Sequence, residues 1–209
     1  MSMDSESMNS EFDSGHARLA PLKLVVAGPV GAGKTTFVGS LSEIPVVSTD
    51  ELASEDIGKL HTTVAMDFGL LTLDNIPVHL FGTPGQDRFD FMWEILCEGA
   101  LGLMLLVAGD RPQDFPHARR ILEFITSRVP VPFMIGVTRQ DLPRVWEPPD
   151  VADYFELPHE QVVGLNATST TSSVLALISL LESIHQYQPP EGSAFNSAEL
   201  NVPQSKISR

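Results

Sequence analysis

Short apolar runs alternate with stretches of helical period along most of this chain. Leu22, Leu24, Val25 and Val26 form the first run, and the segment from about Lys34 to Leu41 then predicts a helix that stops before Pro45. Residues 43–63 read as a long polar connection. Residues 64–73 and 76–81 are two β-rich runs separated by Asp74-Asn75, a two-residue turn of types that tolerate positive φ, so a hairpin is expected. The strand breaks at Gly82-Thr83-Pro84-Gly85-Gln86-Asp87-Arg88, and residues 89–98 predict a short helix carrying Phe91, Met92, Trp93, Ile95 and Leu96.

From residue 101 the alternation is regular. A strand at 101–108 precedes a helix near 115–129, with Pro116 in its first turn and Ala118, Ile121, Leu122, Ile125 and Val129 on one face. A strand at 131–137, a short helix near 151–156, a strand at 161–165 and a terminal helix at about 171–186 follow. That last helix is expected to bury Val174, Leu177, Ile178, Leu181 and Ile184. The order implies an α/β domain with a six-stranded mixed, mostly parallel sheet, helices on both faces and right-handed crossovers. The domain should span residues 21–187. Residues 1–20, rich in Ser, Met and acids, and the Pro-, Ser- and Asn-rich residues 188–209 read as tails too poor in large apolar groups to offset their ordering entropy.

Composition narrows this picture. Apolar residues make up 43% of 209, enough for one full core. A formal charge of −14 repels nucleic acid and anionic lipid, which argues against a nucleic-acid partner. The single Cys97 permits no internal disulfide and suits a reducing compartment, most simply as a small buried hydrophobe. The longest apolar run is about half of the roughly 20 residues a membrane helix needs. No secretory or lipidation signal is evident, so a cytoplasmic protein without a direct membrane anchor is expected.

The chemistry centres on Gly28-Pro29-Val30-Gly31-Ala32-Gly33-Lys34-Thr35, an unbroken G-x-x-x-x-G-K-[ST] between a predicted strand and a helix that continues through Thr36. Backbone N–H groups of such a loop converge on the β-phosphate of a nucleotide. Lys34 neutralises charge and the Thr35 hydroxyl is free for Mg²⁺. The chain therefore reads as a P-loop NTPase. Ligands of such sheets bind at the carboxyl ends of strands, where Thr83-Pro84-Gly85-Gln86, Thr138-Arg139-Gln140-Asp141 and Asn166-Ala167-Thr168 also fall.

Taken in this order with the segment Thr62-Thr63-Val64-Ala65-Met66-Asp67-Phe68, these motifs over residues 21–187 make the chain resemble the Ras-like small GTPases, and within them the bacterial MglA-like branch. The resemblance implies a GTP-binding molecular switch that binds GTP/GDP and Mg²⁺ and hydrolyses GTP slowly. Thr63 would join Thr35 on the metal, with Thr62 as the fallback, and Gln86, beside Gly85, would orient the attacking water. Asp141 would accept two hydrogen bonds from guanine. Asn166, Ala167 and Thr168 would supply a backbone N–H to the guanine oxygen, and Arg139 would stack on the purine. A regulatory partner of the Roadblock/LC7 type is implied in the same way, and the exposed part of residues 89–93 could read out the nucleotide state.

Gly82, Arg88 and Val30 shape the expected chemistry, while Arg139 replaces the family's usual Lys and Thr138 its Asn. Gly82 stands where most of that superfamily has an acid, so no carboxylate there holds a metal-bound water, and Mg²⁺ would depend on Thr35, Thr63, the phosphates and another nearby acid. Arg88 is the remaining local arginine for catalysis, or else the partner of an ion pair with Asp87 or Asp90. Val30 crowds the approach of an arginine supplied by another protein, so turnover on the order of 10⁻⁴ s⁻¹ is expected. A nucleotide-binding pseudo-GTPase is the alternative, and a P-loop ATPase or kinase a further one.

Overall fold

The computed structural model describes residues 21–48, 66–86 and 90–187. Both tails, Thr63 and Arg88 lie outside the described residues, as does Phe89, the expected first residue of the second helix.

Strand β1, Leu22–Ala27, runs into the phosphate loop and helix α1, Lys34–Leu41. Strands β2, Val47–Ser48, β3, Asp67–Leu73, and β4, Ile76–Gly82, precede helix α2, Asp90–Cys97. The second half alternates β5, Gly102–Ala108, α3, Phe115–Thr126, β6, Phe133–Thr138, α4, Pro148–Phe155, β7, Val162–Gly164, and α5, Thr170–Gln186. Among the described residues the sheet has seven strands in the order β2-β3-β4-β1-β5-β6-β7, one more than expected. The added strand is β2, whose two residues pair antiparallel with β3 and are too few to show a period-two pattern. Among the other neighbours only β3 and β4 run antiparallel, joined by the Asp74-Asn75 turn with φ of 48° and 68°.

The chain leaves β1 toward one side of the sheet, returns through the hairpin to pair β4 with β1, and then crosses to β5 on the other side. Loops at the carboxyl ends of β1, β4 and β5 therefore meet at one crevice, where such sheets bind ligands.

Period-two burial splits the core between the two faces. Val25, Ala27, Leu105 and Val107 pack with Trp93 and Cys97 of α2, Ile121 and Ile125 of α3 and Val151 and Phe155 of α4. Leu24, Val26, Met104 and Leu106 pack with Phe37 and Val38 of α1 and Ala176, Leu180 and Ile184 of α5. Burial pushes the Cys97 thiol up to about 12, consistent with an inert core residue.

The buried face of α5 differs from the one expected. Ser173, Ala176, Leu177, Leu180 and Ile184 are buried, whereas Val174 and Ile178 are 38% and 42% exposed. The small residues face α1, where Ser40 Oγ donates to Ser173 Oγ at 2.7 Å. Close approach of the two helices, rather than side-chain hydrophobicity, sets this orientation. Among the described residues no helix is long and apolar enough to cross a membrane.

Candidate functional site

Helix α1 begins directly from the phosphate loop. Gly33, in the left-handed region at φ 97°, caps it without a side-chain acceptor, and its first turn holds no acid. The free N–H groups and positive end of the helix are thus unopposed, an arrangement suited to an anion.

Lys34 extends back along the loop, its Nζ donating to the carbonyls of Gly28 and Pro29 at 2.8 Å each. Burial lowers its pKa to about 8, partly offset by the negative charge of Asp67. Gly85 abuts both groups: a Cβ there would lie 2.7 Å from Val30 N and 2.8 Å from Lys34 Nζ, so only glycine lets this segment touch the loop. The segment is held from α2, whose buried Trp93 donates from Nε1 to the Pro84 carbonyl at 2.8 Å. Trp93 is 3% exposed and Phe91 52%, so the aromatic run in α2 divides between core and surface. Gln86, next to Gly85, is exposed.

A carboxylate does reach Thr35, from a direction the linear motif did not reveal. Asp67 is paired across the hairpin with Gly82, and its Oδ2 accepts from Thr35 Oγ1 at 2.6 Å. A Cβ on Gly82 would fall 3.0 Å from Asp67 Cβ and 3.1 Å from its Oδ2. The glycine makes room for the acid of the facing strand. A hydroxyl and a carboxylate oxygen side by side form a hard oxygen donor pair that fits Mg²⁺. The buried hydroxyl of Thr83, one residue after Gly82, has no hydrogen-bond partner among the described residues.

On the opposite side, Thr138 is buried and its Oγ1 donates to the carbonyls of Ala32 and Val107 at 3.0 and 3.2 Å, strapping β6 to the phosphate loop. Arg139, at φ 65°, donates to Gly31 O at 2.9 Å and pairs with Asp110 at 2.6 Å, so its guanidinium is engaged with the loop. Asp141 is exposed. Asn166 Oδ1 accepts from Thr168 N and Oγ1 at 3.0 and 2.7 Å, closing the loop after β7.

A cavity of about 490 Å³ joins these groups, lined by Gly31, Gly33, Lys34, Thr35, Thr36, Thr138, Arg139, Asp141, Leu142, Asn166, Ala167 and Thr168. Its size is that of a small-molecule site. Gly28, Val30, Ala32, Gly85 and Gln86 are not among its lining residues. A more open depression of about 580 Å³ beside α4, lined by Arg144, Val145, Trp146, Asp150, Asp153 and Tyr154, contains no phosphate-loop group. The linear motifs do not reveal Asp67 and Trp93, which bond Thr35 and Pro84. Cross-strand pairing with a glycine marks the first, and no local sequence signal marks the second.

Residues 46–187 match a family described as conserved hypothetical ATP binding protein. Over 124 residues the chain is 32% identical to the uncharacterized protein MJ1339 of Methanocaldococcus jannaschii, covering 58% of this chain and 71% of that protein. These matches overturn the resemblance to the MglA-like branch of the Ras-like small GTPases. The motifs behind it reflect the shared demands of phosphate binding at strand ends, which unrelated branches of P-loop proteins meet with similar short segments.

Proposed function

Since the chain belongs to the family of conserved hypothetical ATP binding proteins, a P-loop nucleotide-binding family, we propose that it is a slow nucleoside triphosphatase selective for guanine, alternating between GTP and GDP states. The observation that carries the guanine reading is Asp141, whose exposed carboxylate lines the cavity and has no hydrogen bond or ion pair among the described residues. A carboxylate accepts from the N1–H and 2-amino group of guanine together, a pair that adenine lacks. Asn166, Ala167 and Thr168 line the same cavity; the N–H groups of Asn166 and Thr168 already donate to Ser172 Oγ and Asn166 Oδ1, which leaves the Ala167 N–H as the candidate donor to the guanine oxygen.

In this reading Lys34 exchanges its bonds to Gly28 and Pro29 for phosphate oxygens. The amides of the α1 first turn bind the β-phosphate. Thr35 and Asp67 are the residues that would hold Mg²⁺, which when bound supplies charge neutralisation on the phosphates. Gln86, carried by the segment that Trp93 and Gly85 seat against the loop, orients the attacking water. Water adds to the γ-phosphorus as the bond to the β-phosphate oxygen breaks, giving GDP and phosphate. Turnover is slow because Val30 crowds the lip of the loop and Arg139 is committed to Gly31 and Asp110.

The description of the matched family favours a second reading, ATP as the nucleotide. Titration of the full chain with Mg²⁺ and GTP, GDP or ATP decides between them. The expected result is guanine preference of at least about 100-fold, with Asp141→Asn weakening guanine and strengthening xanthine binding. Preference for ATP, unchanged by Asp141→Asn, would overturn the guanine reading.

A further inference from the structure

Arg111, in the turn after β5, stands at the outer lip of the phosphate loop. Its Nε pairs with Asp114 at 3.0 Å, and its Nη1 donates to the carbonyl of Val30 at 3.4 Å. The guanidinium also lies directly over Gly31: a Cβ there would come within 2.4 Å of Nη1. The Val30 side chain is 56% exposed, so apolar packing does little to fix this part of the loop.

A trans peptide points its C=O and N–H in opposite directions. A cation that holds the Val30 carbonyl outward therefore turns the Gly31 N–H inward, toward the concave side of the loop. A charged donor on the carbonyl also polarises the peptide and makes its N–H a stronger donor. We propose that Arg111 is a positioning residue for the phosphates: anchored by Asp114, it latches the Val30 carbonyl and aims the Gly31 N–H at a phosphate oxygen. This rests on the nucleotide-binding reading above, and it adds a second strap to the one that Arg139 makes on the next carbonyl, that of Gly31. The two arginines come from the tips of neighbouring parallel strands, β5 and β6, and hold consecutive peptides of one loop.

The test compares wild type with Arg111→Ala and Arg111→Lys in the full chain. It measures the Gly31 amide resonance without nucleotide, affinity for Mg²⁺-GDP and separately for inorganic pyrophosphate, and the thermal midpoint. In Arg111→Ala the Gly31 amide should shift, and both affinities should fall by a common factor of about tenfold, with the midpoint unchanged. Arg111→Lys should recover part of the loss. The latch is overturned by an unmoved Gly31 amide, by unchanged affinities, by loss of GDP affinity alone, or by a fall in midpoint that accounts for the loss. If wild type binds neither probe, the nucleotide-binding reading fails instead, and the amide resonance still decides whether the latch exists.

Discussion

At the phosphate end of the cavity Lys34 and Thr35 are both already engaged, one on two loop carbonyls and the other on Asp67, whereas at the base end Asp141 is exposed and engages no side chain or carbonyl among the described residues. The loop of residues 166–168 satisfies itself through Asn166. A ligand at the first end must trade internal bonds for its own, and at the second it meets in Asp141 an acceptor that needs no release. Substitutions at the phosphate end should therefore change the empty protein as well as its affinity, while those at the base end should change selectivity alone.

The hardest test is Lys34→Met. Nucleotide affinity should fall by about 100-fold, because a charged hydrogen bond to phosphate is worth roughly 1.5–3 kcal/mol and Lys34 makes more than one. The nucleotide-free protein should be no less stable, since a partly desolvated cation is removed. Calorimetric titration and thermal melts read both, and a destabilised protein with retained affinity breaks the comparison.

Next in size, Asp67→Asn should raise the Mg²⁺ concentration needed for half-maximal nucleotide binding by roughly tenfold or more. Binding measured in chelator should hardly change. An unaltered Mg²⁺ requirement would remove Asp67 from the metal site.

The effect of pH sharpens the difference. The folded pKa of Lys34, about 8, lies below its ordinary value of 10.5, so the unfolded chain binds more protons between those values. Stability of the nucleotide-free protein should then rise with pH from about 8 to 10.5, the penalty being fully present below that window. Bound phosphates hold the proton on Lys34, so affinity should weaken above pH 8, by at most about tenfold per unit. Titrations at several pH values check this, with Lys34→Met expected to flatten the profile.

The smallest effect belongs to Thr138→Val. Losing the hydroxyl that bonds Ala32 and Val107 should cost about 1 kcal/mol, a drop of roughly 2–4 °C in the midpoint. Affinity should change less than about threefold.

Where structure rests on contiguous residues, the chain was readable. The phosphate loop and α1 occupy the expected residues, and Asp74-Asn75 turns the hairpin at positive φ, because each is determined within a few positions. Features set by distant partners were not. Helix α5 turns Ser173 and Ala176 inward because α1 lies against it, although Val174 and Ile178 are the more apolar residues. The bond from Trp93 to Pro84 spans two elements, and β2 is too short to carry a pattern. The family assignment failed for a related reason. Short segments shaped by phosphate chemistry carry little trace of lineage, whereas the match over residues 46–187 begins after the phosphate loop and draws on the rest of the domain.

The pairing of Asp67 with Gly82 has a consequence for how such a site can change over generations. A side chain on Gly82 would press on the Cβ and Oδ2 of Asp67, so the two facing positions share one volume. Moving the acid from β3 to β4 by single substitutions must pass through a chain with two acids in contact, destabilised by repulsion and crowding, or through one with none. Both intermediates are penalised. An acid added at Gly82 beside Asp67 would thus crowd and repel it, a constraint that neither strand, read by itself, would reveal.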